Sequence, residues 1–407
     1  MRGQRTLCKR KVQVLFLLQG MEKSIANLSH CNLAKQESVV TFRLVNQVAV
    51  IALNQLATGN ALSGAMIRDL YHLVDFCKRD RKIWAVVITS ASKECFSTGT
   101  DVDELYRDMT ERSDNREDLY VKQFKLVHSL HTFPKPVVVL MDGIVTGSAF
   151  GLGQSAHLRV VTERTRLAMP ETGWGSIPNL GATHFLNGVP LGYALYIGLT
   201  GVTLSGPDAF QLRLADACVP SNWLITFEER LRKLSLGQDC DNALRSVFVP
   251  PCNIVPHAPF SAYSQLVRQH FDKRLDIERT VASLRRSLEE NRTRETRHWT
   301  KTTLDALYSR SPTMLYVARE ALLRGRHMTL AECLRMELSI CVRAAESGDL
   351  REGLRAIVAS GDHCPRWAPS AILQVRPARA MHFLTSPWRP DSHPLANLES
   401  SISSAEC

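Results

Sequence analysis

Several features that mark large protein classes are missing from this 407-residue sequence. Its eleven cysteines, Cys8, Cys31, Cys77, Cys95, Cys218, Cys240, Cys252, Cys333, Cys341, Cys364 and Cys407, contain no C-x-x-C pair and leave one over under full pairing. A zinc module and a disulfide framework are therefore not expected, and a reducing compartment fits best. No apolar run approaches the roughly 18 residues of a membrane helix, so no membrane partner is expected. There is no internal repeat and no long block of like charge. Lys and Arg outnumber Asp and Glu by 50 to 40, a formal net charge of +10, but they are spread along the chain without an aromatic-rich basic stripe. That distribution reads as a solvated surface rather than a nucleic-acid platform.

The length suits one large core plus a smaller region, since single cores rarely grow past roughly 250 to 300 residues. Residues 1–38 form a leader: Arg2, Arg5, Lys9, Arg10 and Lys11 surround the apolar patch Val12–Leu18, with no acid before Met21. This composition suits a mitochondrial presequence, and a weak signal peptide or a basic tail shares it. In residues 39–248, Val39–Val45 and Val48–Leu53 read as strands joined at Asn46-Gln47. Ser63 offers an N-cap to a helix carrying Met66, Leu70, Leu73, Val74 and Cys77, and Trp84–Thr89 reads as a buried strand. Strand and helix signals alternate again around Val121–Leu130, Pro136–Leu140, Ala149–Ala156 and Arg159–Thr162, which predicts a mainly parallel α/β sheet. From Leu180 onward strand signals become scarce. The proline-rich stretch Val249–Pro259 predicts a boundary, residues 249–375 a helical C-terminal region, and the proline- and serine-containing residues 376–407 a poorly ordered tail.

Three stretches carry chemistry. Phe96-Ser-Thr-Gly-Thr-Asp-Val102 and Gly143-Ile-Val-Thr-Gly-Ser-Ala-Phe-Gly-Leu152 are small-residue turns from strand to helix, able to aim backbone amides at a developing oxyanion. The third, Ala168–Gly181, holds one acid, Glu171, between a proline and a glycine-rich turn. Glycine alone is usual in such connections; two of these turns with an acid in a third point to acyl transfer. Glu171 is expected ionised at neutral pH unless strongly desolvated.

Asn60-Ala-Leu-Ser63, Phe96–Asp101, Met141-Asp-Gly-Ile144 and Gly147, taken in order, resemble the crotonase, or enoyl-CoA hydratase/isomerase, superfamily. Arg159–Gly173, Ser311-Pro-Thr313, Arg324-Gly-Arg326, Glu332–Glu337, Glu352–Ile357 and Pro365–Pro369 are similar to its 3-hydroxyisobutyryl-CoA hydrolase branch, the likeness running over roughly 39–375. The resemblance implies a ββα spiral with a helical C-terminal part, and hydrolysis of a short hydroxyacyl-CoA in valine breakdown in the mitochondrial matrix. It implies no metal and no separate cofactor, CoA being part of the substrate. It assigns the oxyanion hole to the amides of Thr100 and Ser148, the reacting carboxylate to Glu171, and substrate contacts to Gln123 and Asn179. It also implies the superfamily's homo-oligomers, unless the helical extension covers the interface, and, as an alternative, an inactive component of the mitochondrial ribosomal small subunit.

Three departures stand out. The superfamily's hydratases use two glutamates, and the place of the first is Gly151 here; one acid suits hydrolysis better than hydration. The family's acids are replaced by Gln123 and Asn179, which still hydrogen-bond a hydroxyl but cannot act as bases. Thr100 and Ser148 add β-carbons to the oxyanion loops, which leaves the amides usable only if neither residue needs positive φ. Lys93 is weighed as a CoA-phosphate contact against a solvated lysine, which is favoured, Trp174 equally as an acyl-pocket wall or a core residue, and His128, His131, His157 and His184 are read as surface or packing residues.

Overall fold

The structure is a computed structural model and describes residues 38–111, 115–235, 240–251, 255–290 and 293–398. The leader and residues 399–407 lie outside these. Strands β1 (Val40–Val45) and β2 (Val48–Leu53) form an antiparallel hairpin. Its two turn residues, Asn46 and Gln47, both have positive φ, 47° and 63°, the geometry a two-residue hairpin turn requires. The Asn46 amide then donates to the carbonyls of Leu231 and Leu234 at 2.8 and 2.7 Å, fixing the turn to the body of the protein. Helix α1 (Gly64–Arg79) starts where expected, with the Ser63 hydroxyl accepting from the Met66 amide.

Beyond α1 the chain alternates between two sheets. Strand β3 (Ala85–Ser90) joins the first sheet and β4 (Cys95–Ser97) the second, followed by α2 (Val102–Thr110) and α3 (Asn115–His131). Strand β5 (Val137–Met141) returns to the first sheet and β6 (Ile144–Thr146) to the second, followed by α4 (Ser148–Gln154). Strands β7 (Leu158–Thr162) and β8 (Arg166–Ala168) repeat the step. This is the ββα spiral. Helices α5 (Ala182–Phe185) and α6 (Leu191–Thr200) follow, then β9 (Leu204–Ser205), α7 (Gly206–Gln211) and β10 (Ala217–Val219). The first sheet runs β1-β2-β3-β5-β7-β10, parallel except for the hairpin, and the second β4-β6-β8-β9.

The central strands are apolar throughout because both faces are covered. On one face Ile51, Ile88 and Val139 pack with Leu70 of α1 and Phe124 of α3. On the other, Val50, Val87, Val138 and Val160 meet Leu224, Leu231 and Phe248, from α8 (Ser221–Ile225), α9 (Phe227–Lys233) and α10 (Cys240–Phe248). The helical region comprises α11 (Ser264–His270), α12 (Ile277–Glu290), α13 (Arg294–Ser309), α14 (Pro312–Gly325), α15 (Leu330–Glu346) and α16 (Gly348–Leu354). Its Leu315, Leu322, Leu334 and Leu338 belong to the same apolar cluster as the first face of the sheet. The region therefore seats on the core.

The tail departs from expectation. Residues from Pro377 to 398 are packed: α17 (Pro377–Phe383) lies against α14 and α15, burying Ala380 and Phe383, and Leu395 beyond it is 1% exposed. Pro377 sits at the start of the helix, where its missing N–H costs nothing, so proline begins order here instead of breaking it.

Candidate active site

Two loops bring backbone amides together. Gly99 and Gly147 precede Thr100 and Ser148, and each takes positive φ, 83° and 54°. Neither Thr100 nor Ser148 does, so their β-carbons cost no backbone strain. The approach is close: a Cβ on Gly99 would lie 2.3 Å from the Thr146 carbonyl oxygen and 3.2 Å from the Ser148 nitrogen. Among the described residues the Thr100 and Ser148 amides have no acceptor, while their hydroxyls hydrogen-bond each other across the gap. Thr146 Oγ1 donates to the Thr98 carbonyl at 2.8 Å and holds the loops in register.

Glu171 opens a 3-10 turn, Glu171–Gly173, just after β8. It is 1% exposed, and among the described residues neither carboxyl oxygen has a hydrogen-bond partner. A Cβ on Gly147 would lie 3.0 Å from Glu171 Oε1, so the carboxyl faces the start of α4 beside Ser148. Burial pushes the carboxyl up to about 8; its own amide, short of hydrogen-bonding geometry, draws it back, the Glu337 charge raises it and the Arg310 charge lowers it. Strong desolvation, the exception attached to an ionised Glu171, is the condition met here: burial raises the carboxyl above neutral pH.

Gln123, on α3, is 2% exposed with its Nε2 unpartnered, and Trp174 Nε1 is likewise buried without an acceptor. Asn179 is 7% exposed, and its amide reaches only the Cys341 thiol at 3.5 Å. That thiol also lies near Ser176 and within reach of the Glu171 charge, so Asn179 and Glu171 both neighbour α15. No hydrogen bond ties Gln123 to the others. His131 and His184 pack ring edge to ring face, 6.0 Å apart, and burial together with the neighbouring histidines lowers His131 to about 4. Lys93 is exposed.

Two residues that sequence reasoning missed complete the surroundings. Glu337 of α15 is fully buried and accepts from the Gly181 amide at 2.7 Å, the Thr183 amide at 2.8 Å and the Thr183 hydroxyl at 2.6 Å. It caps α5 from another helix, since that helix has no capping side chain of its own. Burial raises it to about 7, against the pull of those three donors. A signal existed: Glu337 falls in register with Leu334 and Cys341 on the apolar stripe of its helix. Arg310, partly buried beside the Glu171 turn, lies in a run of polar residues and gave none.

Gly151 shows why a second acid is absent. A Cβ there would meet the Leu180 carbonyl oxygen at 2.6 Å and the Leu180 Cβ at 2.8 Å, so no side chain fits. Gly151→Glu is therefore expected to destabilise the fold by about 1–3 kcal/mol and to confer no hydration of crotonyl-CoA. Thermal melting and a hydration assay check both; a stable, hydrating variant would contradict this geometry.

Comparisons with known proteins identify the family. Residues 48–384 match the family model described as enoyl-CoA hydratase/isomerase. The mitochondrial 3-hydroxyisobutyryl-CoA hydrolase of Mus musculus is 30% identical over 80% of this chain and 83% of its own. The small ribosomal subunit protein mS47 of Arabidopsis thaliana is also 30% identical, over 79% of this chain and 78% of its own. Among solved structures, a carnitinyl-CoA dehydratase from Mycobacterium thermoresistibile superposes with a TM-score of 0.78 at 26% identity, covering 89% of this chain and all of that one. With its crotonase-type spiral and a match that spans both halves, the chain belongs to the enoyl-CoA hydratase/isomerase family.

Proposed function

We propose that this chain hydrolyses the thioester of a short hydroxyacyl-CoA, 3-hydroxyisobutyryl-CoA, to 3-hydroxyisobutyrate and CoA in the mitochondrial matrix. The observation that carries the reading is one buried, unpartnered carboxyl, Glu171, facing Gly147 between two loops whose Thr100 and Ser148 amides are free. The thioester oxygen accepts from those amides as charge develops on it. Ionised Glu171 then attacks the carbonyl carbon, expelling CoA thiolate and leaving a mixed anhydride for water to open, or it takes the proton of an attacking water. Gln123 and Asn179 hydrogen-bond the substrate hydroxyl. No separate cofactor is required, CoA entering as part of the substrate.

Either route needs the carboxylate, so kcat/KM follows the ionisation of Glu171 in the free protein. It is expected to rise about tenfold per pH unit below a midpoint near 8 and to level off above it. A free-thiol assay with 3-hydroxyisobutyryl-CoA from pH 6 to 10 checks this, and a flat profile counts against Glu171. No turnover on any short acyl-CoA would remove the hydrolase reading.

A second reading, a non-catalytic part of the mitochondrial ribosomal small subunit, is favoured by the relative of that kind and by the neutral Gln123 and Asn179. Sedimentation separates the two: co-migration of the native protein with small-subunit particles supports the ribosomal role, and free matrix protein the hydrolase.

A further inference from the structure

Arg310, at the junction of α13 and α14, is partly buried and has no carboxylate within ion-pair distance among the described residues. A cation partly removed from water without a direct partner still carries a cost, and the surroundings show how it is kept. Its Nε donates to the Thr200 carbonyl at 3.1 Å, and Nη2 donates to the same oxygen. Thr200 is the last residue of α6, where carbonyls lack helical partners and the helix dipole favours a cation.

The space is cleared by two glycines. A Cβ on Gly173 would lie 2.3 Å from Arg310 Nη1, and one on Gly201 3.0 Å from Nη2. Gly173 closes the turn that Glu171 opens, and Gly201 abuts Pro170 and Met169 just before it. The Ser311 amide donates to the Thr172 carbonyl at 2.9 Å, so the arginine's neighbour binds the same turn.

We propose that Arg310 is the positioning residue of Glu171: its guanidinium, wedged between Gly173 and Gly201 and anchored on the Thr200 carbonyl, fixes the turn carrying the carboxyl and sets a positive charge beside that turn. The groups facing Glu171 make the need plain. From α15 come Glu337, whose charge opposes ionisation, and the Cys341 thiol, which brings no cation; from the start of α4 comes Gly147, which brings no charge. Arg310 supplies the opposing sign, and the influence is mutual, since Glu171 in turn holds the arginine proton more tightly. The inference rests on Glu171 being the reacting group, and it assigns Arg310 no contact with substrate.

The test reads the Glu171 carboxyl directly, by its protonated C=O infrared band in the full chain, assigned by its loss in Glu171→Gln. Arg310→Met removes the charge. Arg310→Gln removes it while keeping a donor for the Thr200 carbonyl, and serves should the methionine variant fail to fold. Both are expected to move the Glu171 midpoint upward by about one pH unit or more, and Arg310→Lys to restore most of the shift. The acidic limb of kcat/KM should move with the band. A folded Arg310→Gln protein with an unmoved band overturns the inference whatever its activity. A moved band in a protein without thioesterase activity supports the inference and removes the hydrolase reading, so the two failures are distinguishable.

Discussion

Glu171→Gln is expected to lower thioester hydrolysis by roughly 10²–10⁴-fold or more and, at alkaline pH, to make the protein more stable than the parent. The loss follows from chemistry: glutamine keeps the shape of the carboxyl but can neither attack a carbonyl carbon nor accept a proton from water. The gain follows from burial. The carboxyl rises from an ordinary value of 4.5 to about 8 in the folded protein. Between those values the native chain holds a proton that the unfolded chain has released, so stability falls as pH climbs through that window and levels above it. Glutamine carries no such proton, so its advantage is absent below the lower value and full above the upper one. At about 1.4 kcal/mol per unit, it reaches a few kcal/mol. Urea unfolding of both proteins at pH 5 and pH 9 measures this. An equal difference at the two pH values would mean that the site is wetter than its 1% exposure implies.

Glu337→Ala is expected to cost about 3–5 kcal/mol of stability, although the residue touches no proposed substrate atom. The substitution leaves two buried amides, of Gly181 and Thr183, and the Thr183 hydroxyl without their acceptor. Each orphaned donor costs roughly 1–3 kcal/mol, and the lost side-chain volume adds a void. The damage also reaches the site. Leu180 and Gly181 both take positive φ, 53° and 88°, and this strained passage sets where Asn179 points. Thioesterase activity should therefore fall with stability, mainly through KM as the Asn179 contact is lost. Denaturation showing less than about 1 kcal/mol of loss would mean that water replaces the carboxylate easily.

The order of strands and helices was readable wherever a segment was long enough to show its period. The Asn46-Gln47 turn, the Ser63 cap and the fully apolar β2 are local signals written within a dozen residues. Strands β4, β6 and β8 span three residues each and carry no periodicity, so the second sheet went unseen although its strands end at the reactive loops. The tail was misread because proline and serine content says how a chain behaves alone, whereas Phe383 and Leu395 find a surface already formed by α14 and α15.

By itself the sequence determined the family, the three loops and the single acid, because each lies in a contiguous run whose residue types are fixed by backbone geometry or by chemistry. Only the tertiary structure decided what state that acid is in. The groups acting on Glu171 come from positions 310 and 337, far along the chain, and from the water that the packed helices exclude. Burial and Coulomb energy depend on distances in space, which residue order does not record.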